Sequence, residues 1–213
     1  AFVNNLAEDS GEDGFIAYSG RRMVGAGNVS RCQHDTTGST GATPIFLGHG
    51  NTGFEAVWQD IVVANNVCIG LTSADVAAGN AGIAFTTNGL FVTGQTRNIV
   101  IVGNSIEGFR NEGLVFQFSD STTVPANEGV NETIGLVIAN NTIQRCLDQG
   151  IRLYGTSGSI IANNSMFNVN TAGSLHAISL DDVVSALVSN NMIDAPSAGK
   201  GIAETLNAVG TQF

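Results

Sequence analysis

The chain has 213 residues, a net charge of −10 at neutral pH and only eight Lys and Arg residues. This charge argues against nucleic acids and anionic membrane surfaces as partners, because binding phosphate groups requires a basic surface. No stretch reaches the roughly 18 consecutive apolar residues of a membrane-spanning helix, so we expect no membrane insertion.

A short apolar, β-branched run that ends on Asn recurs from the start of the chain to its end. A clipped copy opens the chain at residues 2–5, and the clearest copy is at residues 136–141. In chain order the marking residues are Asn5, Asn28, Asn66, Asn104, Asn141, Asn164 and Asn191, spaced by 23, 38, 38, 37, 23 and 27 residues. Repetition at such a period is the sequence signature of a solenoid, in which each repeat forms one coil.

A second phrase, a small residue before a large apolar one, follows each Asn and predicts the start of another strand. Its copies are Gly14-Phe15, Pro44-Ile45, Gly82-Ile83, Gly113-Leu114, Gly150-Ile151, Ala177-Ile178 and Gly201-Ile202. We predict one all-β domain over residues 1–213, a single-stranded, right-handed parallel β-helix of about seven coils that stack about 4.8 Å apart. Because the first residues fall in the middle of a repeat, we expect a part of a longer protein or a processed product.

The recurrent Asn is interpreted as structural. Stacked at one corner, its amide can pass a hydrogen bond to the Asn of the next coil, while its own backbone adopts the left-handed conformation of a tight turn. Inward-facing positions are predicted at −5, −3, 0 and +2 relative to each Asn. The three cysteines, Cys32, Cys68 and Cys146, are predicted to be small buried fillers, and disulfides remain open.

This order of phrases, an apolar run, then Asn, then Gly-Ile and a short strand, resembles the pectate-lyase-like β-helix superfamily. The superfamily includes polysaccharide lyases, galacturonases, mannuronan epimerases and phage tailspikes. The resemblance covers nearly the whole chain and implies that the apolar run forms the second sheet, while Gly-Ile begins the first. It is specific for the fold and unspecific for activity, because function depends on sites grafted onto such a scaffold.

The residues beyond a 23-residue coil are concentrated on either side of the first sheet. They fall at about residues 31–43, 48–56, 71–81, 86–96 and 118–132. Loops on both sides of one sheet form a groove, and loops on a rigid scaffold commonly carry function. Tolerated insertion at exposed turns is the alternative.

The outward-facing residues of the first sheet give the candidate catalytic group: Arg152, Tyr154, Asp181 and Asp182. Alternation along the strands predicts Gln117 beside Tyr154 and Tyr154 beside Asp181. A hydrolase would use two carboxylates, whereas a lyase or epimerase would need a base and a cation facing a uronate. An exposed Asp pair near an Arg is the structural alternative. The histidines show no metal-ligand spacing, so we predict no metal and no cofactor.

The strands of the second sheet are apolar on both faces. Their outward positions are Val24, Val62, Val100, Val137, Ile160 and Leu187, beside Ala26, Ala64, Val102, Ala139, Ala162 and Ser189. Together they would form a strip of roughly 300–400 Å², and continuous apolar runs are typical of sheets covered on both sides. We expect another copy of the chain to cover this strip about a rotation axis, with a segment of the parent protein as the alternative.

The apolar strip favours the tailspikes among the members of the superfamily, because tailspikes are β-helix homotrimers. We therefore predict a trimeric spike, in the tail of a virion or otherwise extracellular, that binds cell-surface polysaccharide. Whether the spike also cleaves this polysaccharide is left open by the sequence. Its predicted carbohydrate contacts are Tyr18, Phe46, Trp58, Gln117 and Tyr154, with core packing as the alternative for Trp58. A secreted polysaccharide lyase, glycoside hydrolase or C5-epimerase is the second hypothesis, and a structural repeat scaffold is the third.

Overall fold

A computed structural model describes residues 1–10, 14–17, 20–32, 43–49, 58–70, 81–87, 96–117, 133–169, 176–194, 201–205 and 210–213. In these ranges the chain is all-β and contains no helix. No helix long and apolar enough to cross a membrane is therefore found in the described part of the chain. The insertions predicted from the sequence fall almost entirely outside these ranges.

The strands visit three rows in a constant cyclic order, which we call the second, third and first sheets after the sequence analysis. The second sheet holds β1 (Phe2–Val3), β4 (Gly20–Ala26), β7 (Trp58–Ala64), β10 (Arg97–Val102), β13 (Thr133–Ala139), β16 (Ile160–Ala162) and β19 (Leu187–Ser189). The third holds β2 (Leu6–Ser10), β5 (Val29–Cys32), β8 (Val67–Ile69), β11 (Ser105–Glu107), β14 (Thr142–Gln144), β17 (Ser165–Phe167) and β20 (Met192–Asp194). The first holds β3 (Phe15–Ala17), β6 (Ile45–His49), β9 (Ile83–Thr87), β12 (Leu114–Gln117), β15 (Ile151–Ser157), β18 (Ile178–Val184) and β21 (Ile202–Thr205).

Every pairing between these strands is parallel and joins equivalent positions of neighbouring repeats. The first and second sheets meet where β13 pairs with β15, with Ile134 opposite Ser157. Parallel strands that stack in register, repeat after repeat, are what a parallel β-helix requires. The predicted all-β class and parallel repeat arrangement are confirmed.

The core lies between the three sheets and is filled from the predicted inward positions. At −5 and −3 the buried residues include Ile61, Val63, Ile99, Ile101, Leu136 and Ile138, and at +2 they include Cys68, Ile106, Ile143 and Met166. Cys68 and Cys146 are buried, as predicted, and burial raises the pKa of the Cys146 thiol to about 12. An aromatic column crosses this core, since the Phe85 ring stacks on Phe116 at 4.3 Å between centroids.

The seven marking Asn residues form one continuous hydrogen-bonded column at the corner between the second and third sheets. The Oδ1 of each one after Asn5 accepts from both the backbone N and the Nδ2 of its predecessor, as at Asn104, which accepts from Asn66 at 3.0 and 2.9 Å. The same pattern joins Asn5 to Asn28, Asn28 to Asn66, Asn104 to Asn141, Asn141 to Asn164 and Asn164 to Asn191. The predicted Asn ladder is confirmed, and its middle members are 0 to 1% exposed.

The left-handed residue at this corner is not the ladder Asn but the residue before it, contrary to the prediction. The positions with positive φ are Asn4, Gly27, Asn65, Gly103, Asn140, Asn163 and Asn190, with φ between 53° and 68°. Asn and Gly are the residues that adopt this conformation most readily. The ladder Asn is thereby left free to turn its amide into the column, and its neighbour makes the turn.

The outward face of the second sheet carries the predicted apolar strip. Val62, Val100 and Val137 stand in register in adjacent repeats, and Ile160 and Leu187 continue the row. Leu187 is 41% exposed, and Val24 and Ile160 are each 39% exposed. The side chains of this outward row are therefore apolar and partly open to solvent in a single chain.

Candidate functional site

The outward face of the first sheet brings Arg152, Tyr154 and Asp181 together. Because Ile151 and Leu153 are buried in the core, alternation along β15 turns the intervening Arg152 and Tyr154 outward. Tyr154 is paired with Asp181 in β18, which confirms the predicted register. The backbone of Gln117 is paired with Tyr154 on the other side, as predicted.

Arg152 bridges two carboxylates that lie in different repeats. Its Nε lies 3.4 Å from Oδ2 of Asp181, and its Nη1 lies 3.3 Å from Oε1 of Glu112. The side chains of Asp181 and Glu112 are each 12% exposed, and that of Arg152 is 32% exposed. The site is thus a partly buried ion cluster on the outside of the sheet, held by β15, β18 and the corner that precedes β12.

Sequence reasoning missed Glu112, which belongs to a row of corner residues two positions before the first-sheet strands. Among the described residues the row, which we call the corner row, consists of Thr43, Ala81, Glu112, Gln149 and His176. Ala81 packs against Ala84 and Val115 of the outward face, and Glu112 reaches Arg152 on that face. The fixed offset from the Gly-Ile phrase would have identified this row, because it places these residues in register.

Burial raises the pKa of Asp181, and the charge and hydrogen bond of Arg152, followed by Ser179 and His176, oppose this rise. Burial also raises the pKa of Asp148, again against the charge of Arg152. A carboxyl group that holds its proton to higher pH can act as a general acid, and a fixed guanidinium can neutralise a negative group on a ligand. The site thus places a carboxyl group with a raised pKa next to a fixed guanidinium group.

The structure corrects the prediction that Trp58 contacts sugar. Trp58 is fully buried at the start of β7, and its ring meets Phe85 edge-on at 6.3 Å between centroids. Alternation along the strand is interrupted by Asp60, whose φ of 57° inserts a left-handed residue. Trp58 and Ile61 therefore both face inward although they are three residues apart.

The remaining predicted site residues are not all described. Phe46 is half-buried, and its ring packs against Ala84 and Val115 and fills the space over Gly48. Tyr18 and the side chains of Gln117 and Asp182 lie outside the described residues. Among the described residues, no group of three or more His, Cys, Asp and Glu could hold a metal ion.

Comparisons of the chain with protein-family models, with curated proteins and with solved structures found no match. The residues and geometry of the site are thus what any functional proposal for this chain depends on.

We expect Arg152→Met to lower the free energy of unfolding by about 1–3 kcal/mol at pH 7, because it leaves two partly buried carboxylates without their cation. The loss should shrink at about pH 3, below the ordinary Asp pKa, because Asp181, whose pKa is raised by burial, is then protonated and no longer needs the cation. Urea unfolding at the two pH values measures this. Arg31→Met removes an exposed pair with Glu8 at 3.6 Å and should change stability by about 0.5 kcal/mol or less. Equal losses for Arg152→Met at both pH values would contradict the ion cluster.

Asp181→Asn should have the opposite sign of pH dependence. Because the pKa of Asp181 is raised in the folded state, its protonated form stabilises the fold below the ordinary Asp pKa, and this contribution is lost as pH rises through the raised value. Asn imitates the protonated form at every pH. The variant should therefore gain stability relative to the natural chain between pH 3 and pH 7, as measured by urea midpoints, and a relative loss over this interval would refute the raised pKa.

Proposed function

We propose that this chain is a right-handed parallel β-helix of about seven coils, organised as in the pectate-lyase-like superfamily, and that it binds host cell-surface polysaccharide as part of a trimeric spike. The spike would belong to a virion tail or another extracellular surface, as in phage tailspikes. The observation that carries the proposal is the juxtaposition of Arg152, Tyr154 and Asp181 on the outward face of the first sheet.

Three properties of this face suit a polysaccharide. Tyr154 offers a half-buried aromatic ring, and aromatic rings combine an apolar face with a polar tip at recognition sites. Arg152 and Asp181 supply charged hydrogen-bonding groups that sugar hydroxyls can meet. The strands that hold them are fixed on their inner side by the core and therefore keep the groups in place without a ligand. A row of equivalent positions along the stacked repeats also matches a repeating polymer.

The trimer is supported by the apolar strip of the second sheet, because partly exposed valine, isoleucine and leucine rows are unusual on an isolated soluble protein. The strip runs in register through Val24, Val62, Val100, Val137, Ile160 and Leu187. A copy of the same chain presents the same strip, so packing about a rotation axis would cover all of them at once.

Polysaccharide binding is tested with Tyr154→Ala on a panel of bacterial capsule and lipopolysaccharide glycans. We expect at least about a fivefold loss of affinity for the glycan that the natural chain binds, since aromatic truncation at a contact centre removes more than about 1 kcal/mol. Phe167→Ala truncates a half-buried aromatic residue of the third sheet and should bind as the natural chain does. Unchanged binding by Tyr154→Ala would place the site elsewhere.

A polysaccharide-active enzyme is the second candidate, and one observation favours it. Glu112 and Asp181 share Arg152, and burial raises the pKa of Asp181, so two carboxyl groups, one of them a candidate general acid, lie together as glycoside hydrolysis requires. If the chain cleaves its glycan, Asp181→Asn should abolish sugar release while the variant still binds. If the chain binds no glycan at all, the structural repeat scaffold is the hypothesis that remains.

A further inference from the structure

We propose that the site around Arg152 takes neutral or amino sugars and rejects uronate-bearing glycans. This inference rests on the proposed polysaccharide binding and specifies which chemical class of sugar the same face accepts. It depends on the charge of the cluster and on an unsatisfied acceptor buried beside it.

Negative charge exceeds positive charge in this cluster. Glu112 and Asp181 both contact the guanidinium of Arg152, and Asp148 lies close enough for the same guanidinium to lower its pKa. Two carboxylates therefore bond to one Arg, and a third lies within reach of its charge, so carboxylates outnumber Arg in this cluster. The net charge of −10 on the whole chain adds to this negative potential.

A second observation is the amide of Gln149 in the corner row. Gln149 is only 4% exposed, and its Oε1 is buried without a hydrogen-bond partner among the described residues. Its row neighbours on both sides act on the site, because Glu112 binds Arg152 and His176 lowers the pKa of Asp181. Gln149 occupies the position between them in the same row, and on this placement we assign its acceptor to the same site.

The ligand that completes this site must donate hydrogen bonds. A buried acceptor without a donor is unfavourable, and hydroxyl or ammonium groups of a sugar can supply that donor. A uronate carboxylate brings only acceptors and a like charge, and two nitrogens of the one guanidinium are already bonded to Glu112 and Asp181. The ammonium group of an amino sugar would gain both hydrogen bonds and attraction.

The test is a glycan array with amino, neutral and uronate members, in which each uronate glycan is also present in carboxyl-reduced form. The natural chain should bind amino or neutral members, and every uronate glycan should bind at least tenfold more weakly than its reduced counterpart. A uronate glycan that binds better than its reduced form overturns the inference but preserves polysaccharide binding. Absence of binding to every member overturns both.

Two variants link the selectivity to these residues. Glu112→Gln should reduce the tenfold preference against uronates, whereas Glu8→Gln removes an equally charged, exposed side chain from the third sheet and should leave it unchanged. Gln149→Met keeps the side-chain volume without the oxygen and should weaken binding of the preferred sugar at least threefold. Circular dichroism confirms that each variant is folded, and unchanged selectivity in folded Glu112→Gln would overturn the inference.

Discussion

Asn104→Ala should lower the free energy of unfolding by about 3–6 kcal/mol, because it leaves several buried partners unsatisfied at about 1–3 kcal/mol each. Asn104 accepts from the N and Nδ2 of Asn66, and its Nδ2 donates to Oδ1 of Asn141 at 2.9 Å and to the carbonyl of Val63 at 3.1 Å. Alanine removes these four bonds, and a fifth from Nδ2 to the carbonyl of Val102 at 3.3 Å, in an environment where Asn104 is 1% exposed. Water cannot replace them without opening the corner.

The single Trp of the chain, Trp58, is fully buried in the core and makes a convenient probe of urea unfolding. The matched control is Asn5→Ala, the same substitution at the exposed end of the column. The side chain of Asn5 makes one bond in the column, as a donor, and Asn28 Oδ1 keeps the bond from the backbone N of Asn5. We expect a loss of about 1 kcal/mol or less there, and similar losses for the two variants would show that the column adds little to stability.

Ile101→Asp should prevent folding, because it places an unpaired carboxylate in the core, where burial of an isolated charge costs several kcal/mol. Ile101 is fully buried and paired with Val63 and Ile138 in the neighbouring repeats. The absence of native circular dichroism and a lack of soluble protein are the expected results. A folded Ile101→Asp variant would mean that the alternation of β10 is reversed.

Val100→Asp changes the adjacent residue and should have a different outcome. Val100 faces outward within the apolar strip of the second sheet and is half-buried. The variant should fold, but its mass in light scattering should fall from that of three chains to that of one, because the carboxylates would meet at the interface. A natural chain that is already monomeric would refute the proposed trimer, and a trimeric Val100→Asp would show that another surface holds it.

The stacked sheets could be predicted because each repeat carries the same local information. The Asn that follows an apolar strand, as at Asn66, Asn104 and Asn141, gives the position of that strand in the stack. The inward-facing residues of the strand then follow from alternation. Neighbouring repeats bury one another, so no long-range pairing had to be guessed.

Predictions failed where backbone conformation interrupts alternation. Residues six positions before the ladder Asn have positive φ, among them Arg22, Asp60 and Asn98. Arg or Asp in the sequence does not indicate this conformation, whereas Gly would. Trp58 precedes one of these corners and therefore faces the core. The same reasoning placed the left-handed residue on the ladder Asn, although its predecessor makes the turn.

The site was predicted in part, because two different kinds of information define it. Arg152, Tyr154 and Asp181 lie on strands, so alternation and register were enough to bring them together. Glu112 lies in a corner, and only the reach of a side chain from one repeat to the next connects it with Arg152. Neither the charge nor the type of this residue shows from sequence alone that it lies close to Arg152.

The column of amides is the feature on which the fold, the strip and the site all depend, and hydrogen exchange of side-chain amides tests it directly. In NMR spectra the Nδ2 protons of Asn66, Asn104 and Asn141 should be protected strongly, because they are buried and hydrogen-bonded. The exposed Asn140 and Asn163 precede ladder residues and should exchange at the rate of an unprotected amide. Equally fast exchange in both groups would contradict the column and, with it, the stacked repeats.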